Sequence, residues 1–320
     1  MKKTLSLILV AIIALTSCIS LAGCTDGDDG IYRVGICQLT QHAALDQATK
    51  GFMDALKAEL GDKVVFDLQN ASGDTNVCNT IVGSFVSKGV DLIMANATPA
   101  LQAAYNATTT IPILGTSITE YGVALGIENF NGVVGGNVSG TSDLAPLGEQ
   151  ADMIFEICPD VETVGIVYCS AEANSAYQVA EMKKILENKG VTVKEFSFAD
   201  SNEISAVVTA ACAECDALYV PTDNTAASCA ETIGNIVKEQ RVPLFAGEEN
   251  TAKGCGVASL SISYYDLGVA TGKMAAKILK GEADIATMKV EYVETATKKY
   301  NKEICDILGI TVPDDYVEIQ

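Results

Sequence analysis

The chain of 320 residues contains one histidine, His42, and no tryptophan. Any Ser-His-Asp or Cys-His catalytic set would therefore have to be built on His42, and no Gly-x-Ser-x-Gly elbow accompanies it. Positive charge is also scarce: 21 Lys and Arg stand against 41 Asp and Glu, a formal net charge of -20. Such a surface repels nucleic acid and anionic lipid headgroups, so no nucleic-acid partner is expected. Beyond the N-terminus no run approaches the ~20 consecutive apolar residues of a membrane-spanning helix. Gly268-Val-Ala-Thr-Gly-Lys273 is one residue short of a P-loop, lacks the following Ser or Thr, and falls inside a helical pattern. The reading is of an acidic, non-catalytic chain without cofactor.

Cysteine, by contrast, is abundant, with 11 in all. Outside Cys18 and Cys24 near the N-terminus the number is odd, so at least one thiol stays unpaired within a monomer. Cys78 and Cys229 fall in helical patterns where a small apolar side chain serves, and most of the set is expected to be buried thiols. Cys212-Ala-Glu-Cys215 is a lone CxxC with no second pair and no nearby histidine; core packing is its expected use, and no metal site is expected.

The N-terminus carries Lys2-Lys3, an apolar run from Leu5 to Leu15, and Leu21-Ala22-Gly23-Cys24. These are the basic region, apolar region and small-residue cleavage site of an export signal over residues 1–23. Leu-Ala-Gly-Cys resembles the bacterial lipobox. That resemblance implies cleavage before Cys24, a lipid on its sulfur, a polar tether over 24–31, and a protein held on the outer side of the cytoplasmic membrane.

With 48% hydrophobic residues a sizeable core is available, and the length suggests two domains at ~150 residues each. An internal repeat supports this. Asp91-Leu-Ile-Met-Ala-Asn runs through a helix into Ile111-Pro-Ile-Leu-Gly115; Asp216-Ala-Leu-Tyr-Val220 likewise runs through a helix into Val242-Pro-Leu-Phe-Ala-Gly247. Val34-Gly35-Ile36 and Val164-Gly165-Ile166 open the two halves, each followed by a polar loop and an amphipathic helix. The expected helices include Asp46–Leu60 and Leu144–Ile157, and the Gly- and Asn-rich stretch Phe130–Gly140 reads as the crossover. The fold expected is α/β: two Rossmann-like lobes with parallel sheets flanked by helices and a hinge between them. The N-terminal lobe spans 32–141 plus about 259–285, and the C-terminal lobe 142–258 plus about 286–320. Polar residues crowd the carboxyl ends of the strands, where open α/β sheets bind ligands.

Several motifs resemble one family. Gln38 with Gln41-His-Ala-Ala-Leu-Asp46, Ala97-Thr-Pro-Ala100, Asn137-Val-Ser-Gly-Thr-Ser-Asp143, Glu172-Ala-Asn-Ser175, Tyr219-Val-Pro-Thr-Asp-Asn-Thr225 and Tyr264-Tyr-Asp-Leu-Gly268 occur in order along the chain. They are similar to those of ABC transporter substrate-binding lipoproteins of the TrpX type, which have a type I periplasmic-binding fold and relatives that take aromatic amino acids. The resemblance implies capture of a small molecule, an amino acid before others, for a permease with a cytoplasmic ATPase. A sensor serving a membrane receptor, or an importer component for another solute, uses the same fold.

For an amino acid, Asp223 and Glu248 suit the ammonium. Thr98 and the N–H groups of the helix starting near Pro99 suit the carboxylate, with Thr116 and Ser117 as further donors. Gln38 joins the site through its motif. Glu172, Asn174, Ser175 and Asn224 are divided between helix capping and ligand contact. Two positions depart from the family: His42-Ala43 where His-Pro is usual, and Thr119-Glu120-Tyr121 where Thr-Asp-Pro is usual. Tyr121 or Tyr168 could stack on a ring or simply form wall.

Overall fold

The computed structural model describes residues 30–292 and 295–320. The export signal, Cys24 and most of the tether lie outside the described residues.

The first lobe alternates strand and helix: β1 (Tyr32–Gln38), α1 (Ala43–Leu60), β2 (Val64–Asn70), α2 (Thr75–Lys88), β3 (Leu92–Asn96), α3 (Thr98–Ala107), β4 (Ile113–Ile118), α4 (Tyr121–Leu125) and β5 (Val138–Ser142). The second continues with α5 (Leu147–Ile157), β6 (Thr163–Cys169), α6 (Ala173–Asn188), β7 (Thr192–Phe198), α7 (Ile204–Glu214), β8 (Ala217–Val220), α8 (Asn224–Ser228), α9 (Ala230–Gln240), β9 (Leu244–Ala246), α10 (Glu249–Cys255) and β10 (Ala258–Ser261). The chain then forms α11 (Tyr264–Leu279) and β11 (Glu291–Tyr292), followed by β12 (Thr297–Tyr300), α12 (Lys302–Leu308) and β13 (Val317–Glu318). One sheet runs β11-β5-β4-β3-β1-β2 and is parallel throughout; the other runs β13-β12-β10-β9-β8-β6-β7, with β12 antiparallel to β10.

Central strands are buried on both faces because helices cover both sides of a parallel sheet. Every residue of β3, β4, β8 and β9 is buried. On α1 the apolar stripe Ala44, Leu45, Ala48, Phe52 and Leu56 faces inward at helical spacing. Against it packs α11, and glycine makes the approach possible: a Cβ on Gly268 would lie 2.0 Å from the Ala48 carbonyl oxygen, and one on Gly51 2.1 Å from that of Tyr265. Thus α11 belongs to the first lobe.

The crossovers differ from those expected. Val138–Ser142 is a strand, β5, paired with β4, so the first crossing falls at residues 143–146 rather than within Phe130–Gly140. Pro146 sits at the N-cap of α5, and the helix begins at Leu147 instead of Leu144. The expected returning segment, about 259–285, also shifts. Ala258–Ser261 pairs with β9 in the second sheet, whereas Glu291-Tyr292 pairs with Thr141 and Ser142 in the first. A third strand-edge residue, Ser139, donates to the Met288 carbonyl and fastens this segment to β5. The nine described cysteines are free, seven of them buried.

Tyr121 has a structural use. Gly115 and Gly140 are paired across β4 and β5, and the missing Cβ atoms leave a slot for its hydroxyl, which donates to the carbonyls of Gly115 at 3.0 Å and Thr141 at 3.2 Å. Its ring stacks near Phe130 and is buried, so it is not available to a ligand. Tyr168 points elsewhere, its hydroxyl donating to Glu195 at 3.3 Å on the neighbouring strand β7.

Candidate functional site

A chamber lies where the strand ends of the two lobes meet. His42, Leu45, Ser117 and Thr119 come from the first lobe; Asn174, Thr222, Asp223, Asn224, Ala227 and Glu248 come from the second. Asp143 comes from the first crossing segment and Tyr264 is the first residue of α11. The space between these walls is about 290 Å³ with the open solvent at its mouth included, and only about 10 Å³ of it admits the centre of a water molecule. That is room for roughly one water, so the lobes are drawn together and a ligand enters only when they part. Contacts across the cleft agree: α4 touches α6, and His42 Nε2 lies 3.3 Å from Asn224 Oδ1.

Helix capping aims the acids. Asp223 caps α8: Oδ1 accepts from the Ala226 N–H at 2.8 Å, while Oδ2 accepts from the Cys169 N–H at 2.7 Å. Glu248 caps α10, accepting from the Asn250 N–H at 2.7 Å and from both the N–H and hydroxyl of Thr251. Behind Asn224, Glu172 accepts four bonds from the start of α8, including the Asn224 side-chain amide at 2.6 Å and the Thr225 hydroxyl at 2.8 Å. Asp143 differs: its partners are side chains, Thr119 at 3.1 Å and Tyr264 at 2.8 Å.

All four acids are buried, and among the described residues no Lys or Arg lines the chamber. Burial pushes the Asp143 carboxyl up to about 6; bonds from Tyr264 and Thr119 oppose this and the charge of Glu248 adds to it. Burial, then repulsion from Glu172, pushes Asp223 up to about 7 against the N–H groups of Ala226 and Cys169 and the hydroxyl of Ser175. Burial and the neighbouring Asp143 raise the Tyr264 phenol well above its usual value.

Three buried atoms on these walls have no hydrogen-bond partner: His42 Nδ1, Ser117 Oγ and Asn174 Oδ1. Buried polar atoms in proteins are normally satisfied, so three orphans around one chamber mark groups reserved for something else. Ser117 also holds a left-handed backbone, φ +56°, which costs a non-glycine residue energy and concentrates at binding sites.

The sequence-derived residues divide evenly. Ser117, Asn174, Asp223, Asn224 and Glu248 line the chamber. Gln38, Thr98, Thr116, Glu172 and Ser175 do not. Gln38 is consumed locally, donating to the Thr40 carbonyl and Asp46 and accepting from Thr49. Thr116 bonds Thr141, which bonds Thr271, whose hydroxyl donates to the Leu267 carbonyl, a chain that ties the sheet to α11. Thr98 is buried as the first residue of α3. Glu172 and Ser175 act from behind, on Asn224 and Asp223. Sequence reasoning missed His42, Thr119, Asp143, Thr222 and Tyr264 as site residues. The available signal was the polar run Ser139–Asp143, whose last residue leaves the first sheet at the crossover.

The chain matches, over residues 33–318, the family described as ABC transporter substrate binding protein. It is 33% identical over 301 residues, 88% of its own length and 85% of the relative's, to a tyrosine-binding protein of Clostridioides difficile. Among solved structures it is similar to an ABC domain in complex with L-Trp from Streptococcus pneumoniae (36% identity, TM-score 0.86, 91% of this chain and 100% of that one). A ligand-free, open substrate-binding protein with adhesive properties from Clostridium difficile shares 34% identity over 91% of this chain and 100% of its own, with a TM-score of 0.69. Two parallel-sheet lobes of the type I periplasmic-binding fold, meeting over a shared chamber, thus accompany a match along nearly the whole folded chain, and the protein belongs to the ABC transporter substrate binding protein family.

Proposed function

We propose that the chamber takes a free amino acid with an aromatic side chain, its ammonium among Asp143, Asp223 and Glu248 and its carboxylate toward Ser117. One observation carries this reading: three buried acids line a closed chamber that contributes no Lys or Arg of its own. Buried charge without a counter-charge is costly, and an ammonium supplied by the ligand offsets that cost where a neutral sugar cannot. Leu45, Ala227 and the ring of Tyr264 provide the apolar wall. The similar tyrosine-binding protein and the L-Trp complex support the choice of side chain. Export, a lipid on Cys24 and delivery to a permease with a cytoplasmic ATPase complete the reading.

The deciding experiment is a thermal-shift and calorimetric comparison of L-tyrosine, L-tryptophan, their N-acetyl derivatives and neutral sugars. A ligand present at a hundred times its Kd stabilises by about 2.7 kcal/mol. The free amino acids are expected to bind and the N-acetyl forms, lacking the ammonium, to fail. Binding of the N-acetyl forms with undiminished affinity would refute the ammonium assignment, and response only to sugars would refute the amino-acid reading.

A further inference from the structure

His42 is the only histidine in the chain, and its two ring nitrogens have separate surroundings. Nε2 faces Asn224 Oδ1 across the cleft at 3.3 Å. Nδ1 is buried with no partner, on a residue that lines the chamber. The orientation of the Asn224 amide is fixed from behind: its Nδ2 lies 2.6 Å from Glu172 Oε2, and a carboxylate oxygen can only accept, so the nitrogen must point to Glu172 and the oxygen to His42. Asn224 Oδ1 can only accept in turn, so Nε2 carries the hydrogen. In neutral imidazole one nitrogen donates and the other accepts, which leaves Nδ1 as an acceptor facing the chamber.

A parallel argument fixes Asn174. Its Nδ2 lies within hydrogen-bond distance of Glu172 Oε2 at 3.2 Å and the Thr222 carbonyl at 3.1 Å, both acceptors, so the unpartnered Oδ1 is an acceptor too. His42 belongs to the first lobe and Asn174 to the second. The chamber therefore offers one open acceptor from each lobe, and both orientations trace back to Glu172.

We infer that His42 is a ligand-binding residue held in its Nε2–H tautomer by the Asn224–Glu172 pair, and that Nδ1 and Asn174 Oδ1 accept from the same ligand ammonium, bridging the lobes. This rests on the amino-acid reading above. An ammonium has three N–H groups, so it can bond both acceptors at once and one of the acids as well, the remaining carboxylates acting on it through charge alone. The arrangement links recognition to closure, because the partner that orients His42 stands on the other lobe and reaches it only when the cleft is shut. Asn224 and Glu172 are positioning residues in this scheme.

A lone histidine makes the test direct. Full-length protein labelled with 15N-histidine gives one pair of ring nitrogen resonances, which report the tautomer and the bonding of each nitrogen. Calorimetry on the same samples reports binding separately. With L-tyrosine bound, Nε2 is expected to carry the hydrogen and the Nδ1 resonance to move, and L-phenylalanine, whose side chain has no donor, is expected to move it equally. Asn224→Ala is expected to relax the tautomer preference while the amino acid still binds more weakly, and His42→Phe to lose about 10- to 100-fold in affinity. A complex with hydrogen on Nδ1, or an Nδ1 resonance unmoved by an amino acid that calorimetry shows to bind, overturns the inference and leaves the amino-acid reading intact. Movement with tyrosine alone assigns Nδ1 to the phenol and overturns the ammonium bridge. Failure of both amino acids to bind in calorimetry removes the amino-acid reading, and this inference with it.

Discussion

Replacing Asp143 by asparagine should have two effects of opposite sign. The carboxyl is buried between Thr119 and Tyr264, and its value rises from 3.8 to about 6. Ionising it in the closed chamber of the ligand-free protein therefore costs up to about 3 kcal/mol. Because the value is raised, the acid's contribution to the closed form is fully present below about pH 4 and is lost as pH rises through about 6. Asparagine has the same shape and does not ionise. Ligand-free Asp143→Asn protein should thus shift toward the closed form at pH 8 by up to about 3 kcal/mol and show little difference from the parent at pH 4. Ligand affinity should move the other way. If the acid faces an ammonium, its removal costs about 2–5 kcal/mol at pH 8 and less at pH 5, where the parent acid is itself protonated. Small-angle scattering of the ligand-free protein reads the first effect, and calorimetry with L-tyrosine across pH 5–8 reads the second. A variant that merely damaged the hinge would weaken binding without favouring closure. Equal losses at pH 5 and pH 8, or unchanged affinity at pH 8, would refute the electrostatic argument.

Three further outcomes test the assignments around the site. Gly268→Ala places a methyl 2.0 Å from the Ala48 carbonyl oxygen and should destabilise the α1–α11 contact by about 1–3 kcal/mol or more, seen as a lower Tm; a neutral result would mean the helices separate freely. Thr116→Val removes one end of the hydroxyl chain to Thr271 and should cost about 1 kcal/mol in urea unfolding while leaving ligand affinity unchanged; weaker binding would return Thr116 to the site. Cys255 and Cys305 are buried, and burial raises both thiols, that of Cys305 to about 11, so they should resist a disulfide reagent until urea unfolds the protein. Rapid labelling of either of them in the native state would contradict the packing.

The lobes were legible because parallel sheets leave strong local traces: short buried strands, a helix after each, and a repeat of the pair. Strand ends were legible for the same reason, since the topology sends them all to one edge. Which side of the edge a residue faces was not. Thr116 and Ser117 are neighbours with similar side chains, yet alternation along β4 turns one toward α11 and the other, through its left-handed backbone, toward the chamber. The partners that decide the matter, Thr141 and Thr271, lie 25 and 155 positions beyond Thr116 and enter no local pattern. The crossings were displaced for a related reason: Val138–Ser142 contains Ser, Gly and Thr and reads as loop, and becomes a strand only because β4 and β11 pair with it. With the crossing misplaced, Asp143 lost its significance.

Capping and binding are not alternatives for Asp223 and Glu248, although the sequence presents them so. A capping carboxylate spends its bonds on backbone N–H groups, and whenever it is ionised its charge at the mouth of a cleft also acts on whatever enters. Here the caps converge with Asp143 on one chamber, where no Lys or Arg answers them. Full pairing within the protein would remove the electrostatic part of any difference between the closed state with and without ligand. A ligand with no differential affinity for the two states shifts nothing, however tightly it binds. On the proposed reading, acids without a cationic partner in the protein make closure depend on the ligand's ammonium, and that dependence would allow a permease to distinguish a loaded binding protein from an unloaded one by shape.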